Sequence, residues 1–176
     1  MIHKSTKAVL IKNEELSIVY LDETMCFDIW QNSLDKNNRK YVPDEVFETL
    51  EVATEVVKDL MDSYSNEDGP FVYAVIRNGD GANLGYVQLV KIPEGWEVGY
   101  HIAEKYCGNG YATKALSLLL EYVKEEGRVH ELYGVALSAN KASRRVLEKN
   151  GFEIYFEGID SYQGKRRRII KSIKRL

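Results

Sequence analysis

Two glycines one residue apart, Gly108 and Gly110, set the chemistry that this chain can hold. Glycine tolerates the left-handed backbone that brings successive N–H groups to one concave side of a loop. Gly110 also stands where an apolar repeat begins: Ala112, Ala115, Leu116, Leu119, Leu120 and Val123 recur at helical spacing. The repeat predicts an amphipathic helix that Gly127 stops, and its first-turn N–H groups have no partner inside the helix. Loop and helix end together make an anion cradle suited to a phosphate. Upstream, Trp96, Val98, Tyr100 and Ile102 alternate with Glu97, Gly99 and His101, which predicts a strand running into the loop. Two common nucleotide loops are excluded. A Walker loop needs Gly, four residues and Gly-Lys-Ser/Thr, and a dinucleotide fingerprint needs a third glycine where Thr113 stands.

The frame Cys107-Gly108-Asn109-Gly110-Tyr111-Ala112 resembles motif A of the GNAT N-acetyltransferase superfamily, Gln/Arg-x-x-Gly-x-Gly/Ala, whose loop takes the pyrophosphate of acetyl-coenzyme A. Cys107 replaces the Gln/Arg of that motif, and the backbone cradle does not depend on it. The wider string from Glu97 to Leu116 looks like the ribosomal-protein N-terminal acetyltransferase subgroup. A second stretch, Ser138 to Phe152, resembles motif B: Asn140-x-x-Ser143, a short helix, then Gly151-Phe152. Asn140 suits a helix N-cap and Gly151 the position after a helix, so sequence bounds this element at both ends. The resemblance covers Ala82 to Lys171, and the N-terminal third only by its order of elements. It implies an α+β fold in three layers, α/β/α. Its sheet is mixed and mostly antiparallel, with about six to seven strands and parallel central strands splayed at the coenzyme A site.

The same resemblance implies the contacts. The pantetheine arm would run along Gly99 to Ala103, past His101, Ile102 and Ala103. Cys107, Gly108, Asn109, Gly110, Tyr111, Ala112 and Thr113 would hold the pyrophosphate, with Asn140 and Ser143 reaching in from motif B. Helices and a connector between Asp22 and Pro70 would wall the acceptor. Acyl transfer from a thioester to an amine needs a neutral amine held about 3 Å from the carbonyl, a stabilised oxyanion and two proton movements. Glu97 is the candidate general base, because partial burial beside Trp96 would raise its pKa into a useful range. The competing reading is a solvated or ion-paired strand residue. Many members of the superfamily carry a Tyr seven residues after the motif B Asn, where this chain has Leu147, so Ser143 becomes the candidate acid. Ser143 and Asn140 also read as cap residues. His101 shares the strand face of Glu97 and reads as a satisfied strand histidine, with a base role as the alternative. Cys107 at a helix N-terminus has surroundings that lower a thiol pKa, which raises a covalent route. The resemblance implies direct transfer instead, and no adjacent His activates the thiol.

Bulk properties bound the rest. The 176 residues suit a single domain from 1 to 176, burying about 70% of the unfolded surface. A formal charge of −3 with 29% charged residues implies no general polyanion-binding field, which disfavours nucleic acid as a partner. The Lys165-Arg166-Arg167-Arg168 run reads as the solvated face of a terminal strand, or as a patch for RNA or an acidic partner. Two distant cysteines, Cys26 and Cys107, and an N-terminus without an apolar run point to the cytoplasm. No stretch is apolar enough to span a membrane. His3 and His130 show no metal spacing with the cysteines, so no metal is expected. Two function classes follow: an acetyl-CoA-dependent N-acetyltransferase acting on a protein α-amine or a small amine, or a catalytically weak coenzyme A-binding sensor. Asp44, Glu45, Glu48 and Glu51 near the acceptor wall would suit a polyamine. A homodimer stays open.

In chain order, the pattern predicts a broken strand or short hairpin from Lys7 to Leu21 and a helix through Met25 to Trp30. A polar connector from Asn32 to Asn38 and a helix opened by Pro43 follow. Strands at Phe71–Ile76 and Leu84–Ile92 are joined by Asn78-Gly79-Asp80-Gly81, and Glu131–Leu137 should lie parallel to the Glu97 strand. Two last strands, Phe152–Phe156 and Arg166–Ile173, turn at Gln163-Gly164.

Overall fold

Asn13 folds the start of the chain back on itself: its side-chain oxygen accepts from the N–H groups of Glu15 and Leu16 at 2.9 and 2.8 Å. The result is a hairpin of β1 (Val9–Lys12) and β2 (Leu16–Tyr20) rather than one broken strand. The computed structural model describes residues 8–176; His3, Lys7 and the rest of the first seven positions lie outside the described residues. Helices α1 (Cys26–Ser33), α2 (Lys36–Tyr41) and α3 (Leu50–Ser63) follow. Then come β3 (Phe71–Arg77), β4 (Asn83–Ile92), β5 (Gly95–Ile102), α4 (Tyr111–Glu126), β6 (Glu131–Leu137), α5 (Lys141–Lys149), β7 (Glu153–Tyr162) and β8 (Lys165–Arg175).

Two expectations in the helical third need correction. The polar connector closes into α2, because Asn38 turns inward, 1% exposed, and its amide donates to the Ser33 carbonyl at the end of α1. Pro43 opens only a single 3-10 turn, Pro43–Glu45, after which Val46 is extended. The long helix begins at Leu50, where the Thr49 hydroxyl accepts from the Val52 N–H at 3.3 Å.

The eight strands form one sheet in the order β1-β2-β3-β4-β5-β6-β8-β7. Every neighbouring pair is antiparallel except β5 and β6, between which α4 crosses. Helix α4 lays Leu116, Leu119, Leu120 and Val123 against Ile18, Val75, Val87 and Val98 on one face. On the other face α1 and α3 cover Val19, Val72, Ala74 and Ile76 with Met25, Cys26 and Val57. The sheet is therefore the middle of three layers, as its family resemblance implies.

Pairing between β5 and β6 lasts for only two positions, Trp96↔Leu132 and Glu97↔Tyr133. Beyond Glu97, β5 keeps β4 on one side to Ile102 and has no strand on the other. β6 meanwhile stays paired with β8 to Leu137. The two parallel strands part into a slot whose β5 edge carries unpaired backbone groups at alternate residues.

Candidate active site

The slot opens toward the N-terminus of α4. There Gly108 and Gly110 adopt φ of 83° and 75°, the left-handed region that their sequence spacing predicted. Gly110 is the N-cap of α4 and no side chain caps it, so the first-turn N–H groups face outward without a protein acceptor. A Cβ at either glycine would meet no atom within 4 Å, which leaves the concave side of the loop open. Asn109 braces the loop by donating to the carbonyls of Tyr106 and Cys107 at 3.1 and 3.2 Å. The Cys107 thiol donates to the Ile102 carbonyl at 3.4 Å. Burial, Asp35 and Glu104 push that thiol above its ordinary pKa, contrary to the activated cysteine that the helix end suggests. Burial is the largest cause, and the two nearby carboxylates add to it. Ala103 is 1% exposed and its N–H donates to the Leu84 carbonyl at 2.8 Å, so it fixes the strand end rather than lining the slot with a free donor.

Glu97 and Ser143 flank the slot from opposite faces of the sheet. Glu97 sits on β5 across from Val90 of β4, and burial followed by Glu94 pushes its carboxyl up to about 7, with Lys171 opposing. On the other face Ser143 stands in the first turn of α5. Its N–H donates to the Asn140 side chain at 3.1 Å, the cap that the motif predicted. The Tyr100 hydroxyl lies 2.9 Å from both the Ser143 carbonyl and the Ser143 Oγ. When Tyr100 donates to the carbonyl, the Ser143 hydroxyl donates to Tyr100 or to whatever enters the slot. Burial holds the Tyr100 phenol above its ordinary pKa, so it stays protonated. Leu147 is 2% exposed and packs against Gly134 of β6, which removes that position from the slot.

A cavity of about 400 Å³ opens on the Glu97 face, between the sheet and α1 to α3. Its walls include Phe47, Val57, Leu60, Val72 and Val90, and its polar edge includes Asn38, Glu45, Asn83, Gln88 and His101. The register sets that edge: Tyr86, Gln88 and Val90 of β4 stand opposite His101, Gly99 and Glu97 of β5. Gln88 lies over Gly99, where any Cβ would come within 2.5 Å of its amide. His101 is not the satisfied strand histidine expected. Its Nε2 has no hydrogen-bond partner and stands 3.7 Å from Asp35, whose carboxylate accepts from the Glu104 N–H at 2.6 Å. Burial lowers the imidazole pKa, which favours its neutral form. Tyr162, at the tip of the β7–β8 hairpin, is pushed up to about 12 by burial and then by Glu97 and Glu45, so those two carboxylates share one neighbourhood.

Residues 21–153 match the acetyltransferase (GNAT) domain family. The chain belongs to the GNAT acetyltransferase family. Among curated relatives, an uncharacterized N-acetyltransferase of Bacillus subtilis, YnaD, is 26% identical over 155 residues, covering 85% of this chain and 81% of its own. The GNAT acetyltransferase of Bacillus anthracis superposes with a TM-score of 0.80 at 24% identity, over 94% of this chain and 97% of that one. RimL, a ribosomal L7/L12 α-N-protein acetyltransferase in complex with coenzyme A, superposes with a TM-score of 0.77 at 16% identity, over 96% and 98%. A ribosomal-protein acetyltransferase and this chain thus share the fold.

Several groups of this GNAT site are invisible in the motifs. Arg77, at the end of β3, places its guanidinium over the rings of Tyr106 and Tyr111 and donates to the Tyr111 hydroxyl at 3.3 Å. Its charge stands beside the glycine loop although Asp80 pairs with it at 2.6 Å. Tyr100 comes from β5 itself, Tyr162 from β7 and Glu45 from the Pro43–Glu45 turn. The Lys165–Arg168 run begins β8, mostly exposed. Among the described residues no His, Cys, Asp and Glu group has a metal-binding arrangement, and no helix is long and apolar enough to cross a membrane.

Proposed function

We propose that this GNAT protein transfers the acetyl group of acetyl-coenzyme A directly to a primary amine. The observation that carries this reading is the uncapped α4 N-terminus joined to the β5–β6 slot. Acetyl-CoA supplies an activated thioester. The loop from Gly108 to Thr113 offers backbone N–H groups and the helix dipole to its pyrophosphate, and Arg77 adds positive charge beside them. Unpaired groups along the β5 edge match the amides of a pantetheine arm, so the acyl carbon would come to rest between Glu97 and Ser143. Glu97, with a pKa near the working pH, takes the ammonium proton of the acceptor. The amine nitrogen then bonds to the acyl carbon and the carbon–sulfur bond breaks. Ser143 gives its hydroxyl proton to the departing thiolate and recovers one from the nitrogen, which sheds its second proton as the amide forms, with Tyr100 fixing the direction of the hydroxyl.

A protein N-terminus is one source of such an amine, and RimL supports it by its activity on L7/L12. The polyamine reading loses support, because Arg39 holds Glu48 in a two-armed ion pair at 2.7 and 3.1 Å and Glu51 is exposed. Thermal melting with acetyl-CoA at a hundredfold over its Kd should show about 2.7 kcal/mol of stabilisation, and an amine and peptide screen should release thiol. No shift would remove the cradle. A shift without thiol release from any amine would leave a coenzyme A-binding sensor.

A further inference from the structure

We infer that the cavity between the sheet and α1 to α3 takes a primary amine carrying an apolar body, with the Glu45 carboxylate as the anchor of its ammonium group. This deepens the acetyltransferase reading and rests on it for the identity of the cavity as the acceptor site. Glu45 is brought there by the short Pro43–Glu45 turn, in a segment that α2 and the α3 cap hold from either side. Its Oε2 is buried and has no hydrogen-bond partner. Three other side chains lining the cavity repeat that pattern: the Asn38 oxygen, the Asn83 amide nitrogen and His101 Nε2 are buried without partners, the first two in residues 1% and 5% exposed. Buried polar atoms of native proteins are satisfied in the great majority of cases. Four unsatisfied groups around one cavity therefore mark where a ligand supplies the missing partners. Glu45 Oε2 and the Asn38 oxygen call for donors and the Asn83 amide for an acceptor.

The rest of the wall selects the ligand's body. Phe47, Val57, Leu60, Val72 and Val90 offer no polar atom from their side chains, so a hydrophilic chain would lose its hydration without compensation. A volume of about 400 Å³ suits an aryl-alkyl or branched-alkyl group and excludes a large folded surface. Such an amine exists in two forms, a free arylalkylamine and the first residue of a polypeptide with a bulky apolar side chain. In both, ammonium meets the Glu45 carboxylate and the apolar group packs on the apolar walls.

Calorimetric titration of the full chain separates the terms of this assignment. The probes are 2-phenylethylamine, its neutral analogue 2-phenylethanol and the hydrophilic amine ethanolamine. The amine should bind about tenfold or more tightly than the alcohol, because a charge-assisted pair replaces a neutral one. It should outbind ethanolamine by a similar factor through apolar burial. Glu45→Gln should bring the amine down to the alcohol's affinity, leave the alcohol unchanged and keep the acetyl-CoA melting shift, which certifies the fold. Equal binding of amine and alcohol to the wild type, preference for ethanolamine, or an undiminished amine affinity in Glu45→Gln would each overturn the inference. Tripeptides beginning with Phe or Leu assign the source. Affinity matching 2-phenylethylamine identifies a polypeptide N-terminus, and binding of the free amine alone identifies a small molecule. Thiol release is scored separately: an amine that binds as described but is never acetylated removes the acetyltransferase reading and leaves the cavity's ligand class standing.

Discussion

The proposed coenzyme A cradle and the proposed acceptor cavity lie on neighbouring parts of one sheet, and they are built from different materials. The cradle is made of backbone: two glycines at positive φ, an uncapped helix end and one strand edge without a partner. The cavity is made of side chains from α1 to α3, β3, β4 and β5, and its polar groups are carboxylate, amide and imidazole. Backbone recognition depends on where N–H groups point, which a short local sequence can fix. Side-chain recognition depends on how several elements dock, so it varies freely while the fold persists.

The comparison is tested hardest at Glu97, which stands where the two regions meet. Glu97→Gln should lower kcat/KM by about 10²–10⁴-fold, the usual worth of a general base. The base acts as carboxylate, and its pKa is raised to about 7, so wild-type kcat/KM should climb as pH rises from 6 to 8. That climb should vanish in the variant. An unchanged profile would move amine deprotonation to solvent or to His101.

On the cradle side, Gly110→Asp should weaken acetyl-CoA about 30- to 100-fold. A side chain at φ 75° costs about 1–2 kcal/mol, and a carboxylate at an anion site adds a comparable amount. Cys107→Ala should change binding and turnover less than about threefold, since its thiol only caps a carbonyl. Similar losses in both variants would break the claim that the cradle is backbone.

On the cavity side, a melting series in pH should expose the cost of an unfilled acceptor site. The Glu45 carboxyl is raised from 4.5 to about 7 by burial and then Asp44, with Gln88 offsetting part of it. A raised folded-state value contributes stability that is fully present below the unfolded pKa and lost as pH rises through the folded one. Glu45→Gln should therefore be nearly neutral near pH 4.5 and stabilising at pH 8, on the order of 3 kcal/mol. A variant less stable at pH 8 would show that Glu45 is already satisfied within the protein. The smallest effect belongs to Ser143→Ala, about tenfold in kcat, because a thiolate leaves readily and water can protonate it. Tyr100→Phe should cost less again in kcat. A larger loss for Tyr100→Phe would make the tyrosine, not the serine, the proton donor.

What the sequence disclosed follows the same division. The α4 stripe, the Asn140 cap, the Asn78–Gly81 turn and the positive-φ glycines were all legible, because each is decided within a few residues. The connector from Asn32 to Asn38 was not. Its polar residues read as a loop, and only docking against α1 buries Asn38 and closes α2. Pro43 read as a helix start because Thr49, the residue that does cap α3, is a weaker local signal. Of the proposed catalytic pair, Ser143 could be named from its motif and Glu97 from its strand face beside Trp96. Asn38, Asn83 and Tyr162 could not, since nothing in their local sequence says that they converge. Glu45 was visible as an acidic residue, but its unpartnered oxygen was not.

The brevity of the β5–β6 pairing has a mechanical consequence. Strands β1 to β5 form one plate and β6 to β8 another, and across the sheet they are stitched at only two register positions, with α4 as the covalent strap. A molecule that hydrogen-bonds along the open seam lengthens the stitch. Binding acetyl-CoA is then also an act of assembly, in which the ligand serves as a temporary strand. The amides from Val98 to Ile102 that face the seam should record it as slowed hydrogen exchange, and release of the spent coenzyme should restore the faster rate.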